Sequence, residues 1–217
     1  MTMLIRRAAR GVIATVLLAL PVLVCVGVVG ARGQSPVTKA APLQGAEWPQ
    51  FRGPALNGLS PEKGIRKDWK TRPPVVRWKV DLTDDGYAGP CAAGGLVYIV
   101  DHVADKDVVR AFDVETGKER WRYAYEIGSE QWRFTKTQPT QSVYGFSRAT
   151  PTVAKNRVYT LSREGHLNCL DARTGALIWK RHLKYDFGGV IPAWGYTSPP
   201  LVYNGEVIVW PGGEKTA

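Results

Sequence analysis

The sequence predicts an all-β fold assembled from repeated four-stranded antiparallel sheets, and three observations predict it. A ten-residue pattern, apolar-D-x-x-T-G-x-x-x-W, occurs at Phe112–Trp121 and again at Leu170–Trp179, its aspartates 58 residues apart. A proline stands seven residues ahead of an apolar pair three times: Pro90 before Val97-Tyr98, Pro151 before Val158-Tyr159 and Pro200 before Val207-Ile208. Runs of Val, Ile, Tyr and Trp are broken by Gly, Asn and Asp, and beyond residue 31 no segment keeps an apolar period of 3.6 over three turns.

The N-terminus stands apart from this pattern. Met1–Arg10 is basic, and Gly11–Ala31 then runs without a charge. A positive start followed by an apolar stretch is what the secretion machinery reads. The stretch is long enough to span hydrocarbon as a helix, although Pro21 would kink it. Val29-Gly30-Ala31 also offers a cleavage site, so residues 1–31 read equally as a cleaved signal and as a retained anchor. Both place the remainder outside the cytoplasm. Residues 32–46, rich in Pro, Gly, Ser and Ala, read as a linker.

Residues 47–217 carry the repeats. The opening Glu47–Pro54 places Trp48 and Phe51 to pack onto the sheets, with Arg52 beside them read first as a packing residue and, alternatively, as a functional one. Pro74–Val80 reads as one strand, with Trp78 in the position of Trp121 and Trp179. In the second copy four strands are expected at Arg148–Ala154, Arg157–Ser162, His166–Asp171 and Ala176–Leu183. The third copy shows strands near Pro200–Tyr203 and Glu206–Trp210, and no further D-x-x-T-G-x-x-x-W follows.

Each residue type in the motif has a physical use. Asp113 and Asp171 close a strand, where a short carboxylate accepts backbone N–H groups, and Thr116 and Thr174 add a hydroxyl to the same turn. Gly117 and Gly175 allow a positive φ without a Cβ penalty. Trp121 and Trp179 fall four residues later in the outermost strand, where a large flat ring wedges between neighbouring sheets. Four strands closed by an indexed Trp form a propeller blade. The expected architecture is therefore an incomplete β-propeller, about two full blades and two partial ones, preceded by an N-terminal hydrophobic helix. A ring takes about four to eight blades. A truncated reading frame or split gene is the first explanation for the shortfall, and assembly of several chains into a ring is the second.

These residues resemble the PQQ-type repeat of quinoprotein dehydrogenases and of the outer-membrane assembly lipoproteins, over about Trp48–Ala217. Glu47–Pro54 also looks like the lead-in of large secreted bacterial PQQ-repeat proteins. The resemblance is specific for architecture and less so for activity. Its dehydrogenase members imply a catalytic Asp, a calcium site of carboxylates and amides, arginine contacts to the quinone and often vicinal cysteines. No adjacent Cys pair occurs here, and no carboxylate–Asn constellation maps residue by residue.

Composition excludes some functions. Of a net charge of +10, half comes from Arg6, Arg7, Arg10, Arg32 and Lys39 in the first 46 residues, and later charges are interspersed. That pattern argues against nucleic acid. His102, His166 and His182 read as scattered surface groups, and no zinc spacing, P-loop or Gly-x-Ser-x-Gly elbow occurs. Cys91 and Cys169 fall in non-equivalent strands and are not expected to pair. Two long connections carry clustered aromatics: Trp132, Arg133, Phe134 and Tyr144 in the first, Trp194 and Tyr196 in the second. These are the candidate binding surface, the other reading being that they cap the blades and shield hydrophobic edges. The expected function is a binding scaffold in the cell envelope, without a cofactor or catalytic residue, for a protein, peptide or polysaccharide. The alternative is part of a PQQ-dependent alcohol-type dehydrogenase, with PQQ and calcium.

Overall fold

The computed structural model describes residues 47–83, 86–127, 147–192 and 194–213. The expected N-terminal helix, the linker and most of the first long connection lie outside these residues.

Two four-stranded antiparallel sheets form in chain order. The first holds β1 (Cys91–Ala93), β2 (Leu96–Val103), β3 (Lys106–Asp113) and β4 (Glu119–Glu126). The second holds β5 (Thr152–Ala154), β6 (Arg157–Leu161), β7 (His166–Asp171) and β8 (Leu177–His182). A one-turn helix, α1 (Leu183–Phe187), leads to a two-stranded sheet of β9 (Leu201–Tyr203) and β10 (Glu206–Ile208). The fold is nearly all-β, and among the described residues no helix is long and apolar enough to cross a membrane.

Strand position in the sheet follows burial. The third strand of each blade is covered on both faces, so KDVVRAFD and HLNCLD are buried almost throughout. By contrast, ERWRYAYE in β4 alternates half-buried Glu119, Trp121, Tyr123 and Tyr125 with exposed neighbours, as an outer strand covered on one face must. The cores lie between sheets rather than within them. Tyr98, Val109 and Ala111 of the first blade pack with Val158, Leu170 and Ala172 of the second. Leu161, Leu167 and Leu183 meet Tyr196, Ile191 and Val209 where the third blade begins. Because β1 meets β5, and β5 meets β9, these short strands are the inner edges of their blades.

A bulge falls at the same place in both full blades, between Ala111 and Phe112 and between Cys169 and Leu170. It sets Trp121 opposite Ala111 and Trp179 opposite Cys169, so each large ring faces a small, fully buried partner.

Several expectations differ from the structure: Phe51 is 53% exposed rather than packed, β5 starts at Thr152 rather than Arg148, and β10 ends at Ile208 rather than near Trp210. Pro74–Val80 is extended but unpaired among the described residues, with Val75 84% exposed, because no described strand lies alongside to complete a ladder. The stretch expected to run as strand to Leu183 instead turns into α1 at that residue. His182 caps this helix: its Nδ1 accepts from Lys184 N at 3.3 Å, and its own N–H donates to Asp186 Oδ2 at 2.8 Å. Five residues are too few to show a 3.6 period, so the helix left no trace in the pattern.

Candidate functional site

The repeated motif folds identically in both blades. Asp113 Oδ1 accepts from Glu115 N, Thr116 N and Thr116 Oγ1 at 3.1, 2.9 and 2.9 Å. Asp171 Oδ1 accepts from Arg173 N, Thr174 N and Thr174 Oγ1 at 3.0, 2.8 and 2.8 Å. The threonine hydroxyl is the main reason both carboxyls titrate below the usual aspartate range.

The tryptophans reach forward from each blade to the next. Trp78 Nε1 donates to Val114 O at 2.9 Å, and a Cβ on Gly117 would fall 2.6 Å from its ring. Trp121 repeats this on the following blade: Nε1 donates to Ala172 O at 2.9 Å, and a Cβ on Gly175 would fall 2.5 Å from the ring. Gly117 and Gly175 have φ of 69° and 73°, so these positions need glycine twice over, for the backbone and for the ring lying on it. Tyr98 supports the joint, its hydroxyl donating to the same Ala172 carbonyl at 3.2 Å. Trp179 is half-buried against Tyr159, with ring centroids 6.0 Å apart.

The candidate binding surface divides. Trp132, Arg133, Phe134 and Tyr144 lie outside the described residues. Trp194 is 54% exposed. Tyr196 does not belong to that surface: it is 4% exposed, its hydroxyl donates to Pro211 O at 2.7 Å, and its ring lies against Gly165 and Leu183. A Tyr beside a proline-containing loop satisfies its hydroxyl internally as readily as it faces solvent, and spacing does not separate the two.

Two features were missed from the sequence. All three histidines belong to one string across the first blade interface, rather than to scattered surface positions. Buried His102 Nδ1 lies 3.0 Å from Asp107 Oδ1, and Tyr125 donates to Asp107 Oδ2 at 3.3 Å. The Tyr125 ring meets His166 at 5.7 Å, His166 meets His182 edge-on at 4.5 Å, and His182 meets Tyr185 at 4.4 Å. Burial, then His182 and Lys180, pull the His166 imidazole down to about 4. Cys91 and Cys169 are free and buried, and burial pushes the Cys91 thiol up to about 12, which leaves it inert.

The second missed feature is a cleft of about 540 Å³ where the entry segments of three blades converge. Tyr87, Arg148 and Thr197 line it, together with Trp48, Phe51 and Arg52 from the lead-in. The lead-in reaches this place by pairing with inner strands: Trp48 bridges Ala92 of β1 with N···O distances of 2.9 Å each way, and Val153 N of β5 donates to Pro49 O at 2.7 Å. The signal for the cleft was present in the sequence, since Tyr87, Arg148 and Thr197 each stand three residues ahead of Pro90, Pro151 and Pro200.

The family profile of PQQ repeats described as the outer membrane protein assembly factor BamB matches residues 69–127 and 123–216. The chain belongs to this PQQ-repeat family. Among curated PQQ-repeat relatives it is 30% identical over 182 residues to quinohemoprotein alcohol dehydrogenase ADH IIB of Pseudomonas putida, covering 82% of this chain and 24% of that one. It is 28% identical over 102 residues to BamB of Moranella endobia, covering 47% and 22%. The solved quinohemoprotein alcohol dehydrogenase of Comamonas testosteroni shares the propeller fold at a TM-score of 0.54 and 22% identity, over 74% of this chain and 22% of that one. The chain thus spans about a quarter of the length of these curated relatives.

The free edge of β1 is taken by Trp48, and among the described residues no three His, Cys, Asp or Glu side chains are grouped to hold a metal ion.

Proposed function

We propose that the chain is an exported PQQ-repeat propeller that works as a binding scaffold in the cell envelope. The observation that carries this reading is the lead-in. By pairing Trp48 with Ala92 and Pro49 with Val153, it fills the inner edges of two blades with protein backbone. What remains for a partner is exposed Trp194 and the cleft beside Phe51 and Arg52. The apolar, charge-free Gly11–Ala31 behind a basic start delivers the propeller outside the cytoplasm, as a cleaved signal or as an anchor. The BamB relative supports a protein partner; a peptide or polysaccharide fits the same aromatic surface.

The second reading, part of a quinone-dependent alcohol dehydrogenase, is favoured by one observation: the 30% identity to ADH IIB runs over 182 residues. Dye reduction separates the two. The purified protein, incubated with PQQ and calcium and given short-chain alcohols, is expected to reduce an artificial acceptor no faster than the reagents alone. Alcohol-dependent turnover would overturn the scaffold reading.

A further inference from the structure

Repetition gives the molecule an internal control. Positions that serve the sheet keep their chemistry from blade to blade, as Asp113 and Asp171, Gly117 and Gly175, and Trp78, Trp121 and Trp179 do. The position three residues ahead of the entry proline does not: it is Tyr87, then Arg148, then Thr197. Unlike one another in chemistry, all three line the same cleft.

We propose that this cleft binds a carboxylate-bearing sugar, such as the uronic acid units of an acidic polysaccharide. This rests on the reading of the chain as a binding scaffold and names its ligand class.

Charge is the first support. Arg52 and Arg148 line the cleft, and none of the described lining residues is acidic. A guanidinium presents a planar fork that matches a carboxylate. Thr150, Thr197 and Ser198 add hydroxyls that suit a polyol. Phe51 and Tyr87 stay 53% and 65% exposed, leaving flat apolar faces for the C–H side of a pyranose ring. The volume falls within the range of small-ligand sites.

The walls are set before a ligand arrives. Tyr87 N and Ala88 N both donate to Ser147 O, at 2.8 and 3.1 Å, tying the first entry segment to the second. Thr152 Oγ1 donates to Pro200 O at 2.6 Å, tying the second blade to the third. Gly89 sits where a Cβ would be 3.1 Å from Thr150 Oγ1, so the two segments touch. Such fixed walls lower the ordering cost of binding. Arg52 itself holds a φ of 63°, a conformation disfavoured for a residue with a Cβ, and disfavoured backbone tends to collect at functional positions.

Titration calorimetry on the full chain, purified in detergent, tests the site with four probes: trigalacturonate, the neutral galactose trimer, inorganic phosphate and PQQ. Trigalacturonate is expected to saturate one site, and the neutral trimer to bind at least tenfold more weakly. Arg52→Gln and Arg148→Gln are each expected to weaken trigalacturonate at least tenfold, while Lys67→Gln, outside the cleft, leaves it unchanged. If Arg148→Gln fails to fold, exposed Arg52 decides alone. Equal affinity for the neutral trimer or for phosphate overturns the proposal, as does binding of PQQ alone. If trigalacturonate gives no heat and dye reduction is also absent, this site falls and the scaffold reading stands. If it gives no heat but alcohols reduce dye, both fall.

Discussion

Gly175 carries two demands that separate by substitution. Its φ of 73° disfavours any side chain, and Trp121 lies where a Cβ would go. Gly94 shares the first demand, with φ 58°, but a Cβ there meets nothing within 4 Å. Gly94→Ala is therefore expected to cost about 1 kcal/mol, the left-handed penalty alone. Gly175→Ala should cost about 2–4 kcal/mol, since the ring must also move out of a packed joint. Equal shifts in urea midpoints would show that the ring does not bear on the turn. The tryptophan gives the complementary measurement. Trp121→Ala removes a half-buried ring and its hydrogen bond to Ala172 O, and about 3–5 kcal/mol is expected from thermal or chemical unfolding. Trp194→Ala, on an exposed ring, should stay within about 0.5 kcal/mol.

Between elements, β2, β3, β4, β7 and β8 share the histidine string, and this makes stability depend on pH. The His166 imidazole is held neutral in the folded state down to about 4, against 6.5 in the unfolded chain, because burial, His182 and Lys180 all oppose its charge. An unfolded state that takes up protons first is favoured as pH falls. The stability that neutral His166 contributes is present above pH 6.5 and is lost as pH falls toward 4. Burial shifts His182 in the same direction, with Asp186 opposing the shift. Asp113 and Asp171 act in a lower window: their stabilisation is present above the ordinary carboxylate value and is lost as pH falls below it. The melting temperature is thus expected to fall in two stages on acidification, and His166→Leu should flatten the upper one. A single fall below pH 4 in the wild type would contradict the burial of His166.

For the whole molecule, the parts legible in the sequence were those that repeat. Two copies of the D-x-x-T-G-x-x-x-W pattern located the turns, and the β6 and β7 bounds match the expected strands within a residue. Trp78 was placed by analogy with Trp121, and it docks on Gly117 as Trp121 docks on Gly175. What repeats poorly was less legible. Pro74–Val80 has the composition of a strand but lacks a described neighbour, and pairing is a property of two segments. Tyr196 has the composition of a surface aromatic, yet a carbonyl at Pro211 and the bare face of Gly165 take it inside. The cleft was hidden for a different reason. Its residues are unlike one another and form no repeating pattern, and only the register fixed by the prolines aligns them. The histidines were separated by up to 80 positions along the chain, from His102 to His182, and only the sheet order brings them into one line.

The forward reach of the tryptophans also orders events in time. Each indole is made before the turn that receives it: Trp78 precedes Gly117, and Trp121 precedes Gly175. As the chain emerges, the Trp121 indole has no receiving turn until Gly175 has followed it. Once formed, the Gly175 turn fastens the sheet made just before it, as a clasp closed from behind.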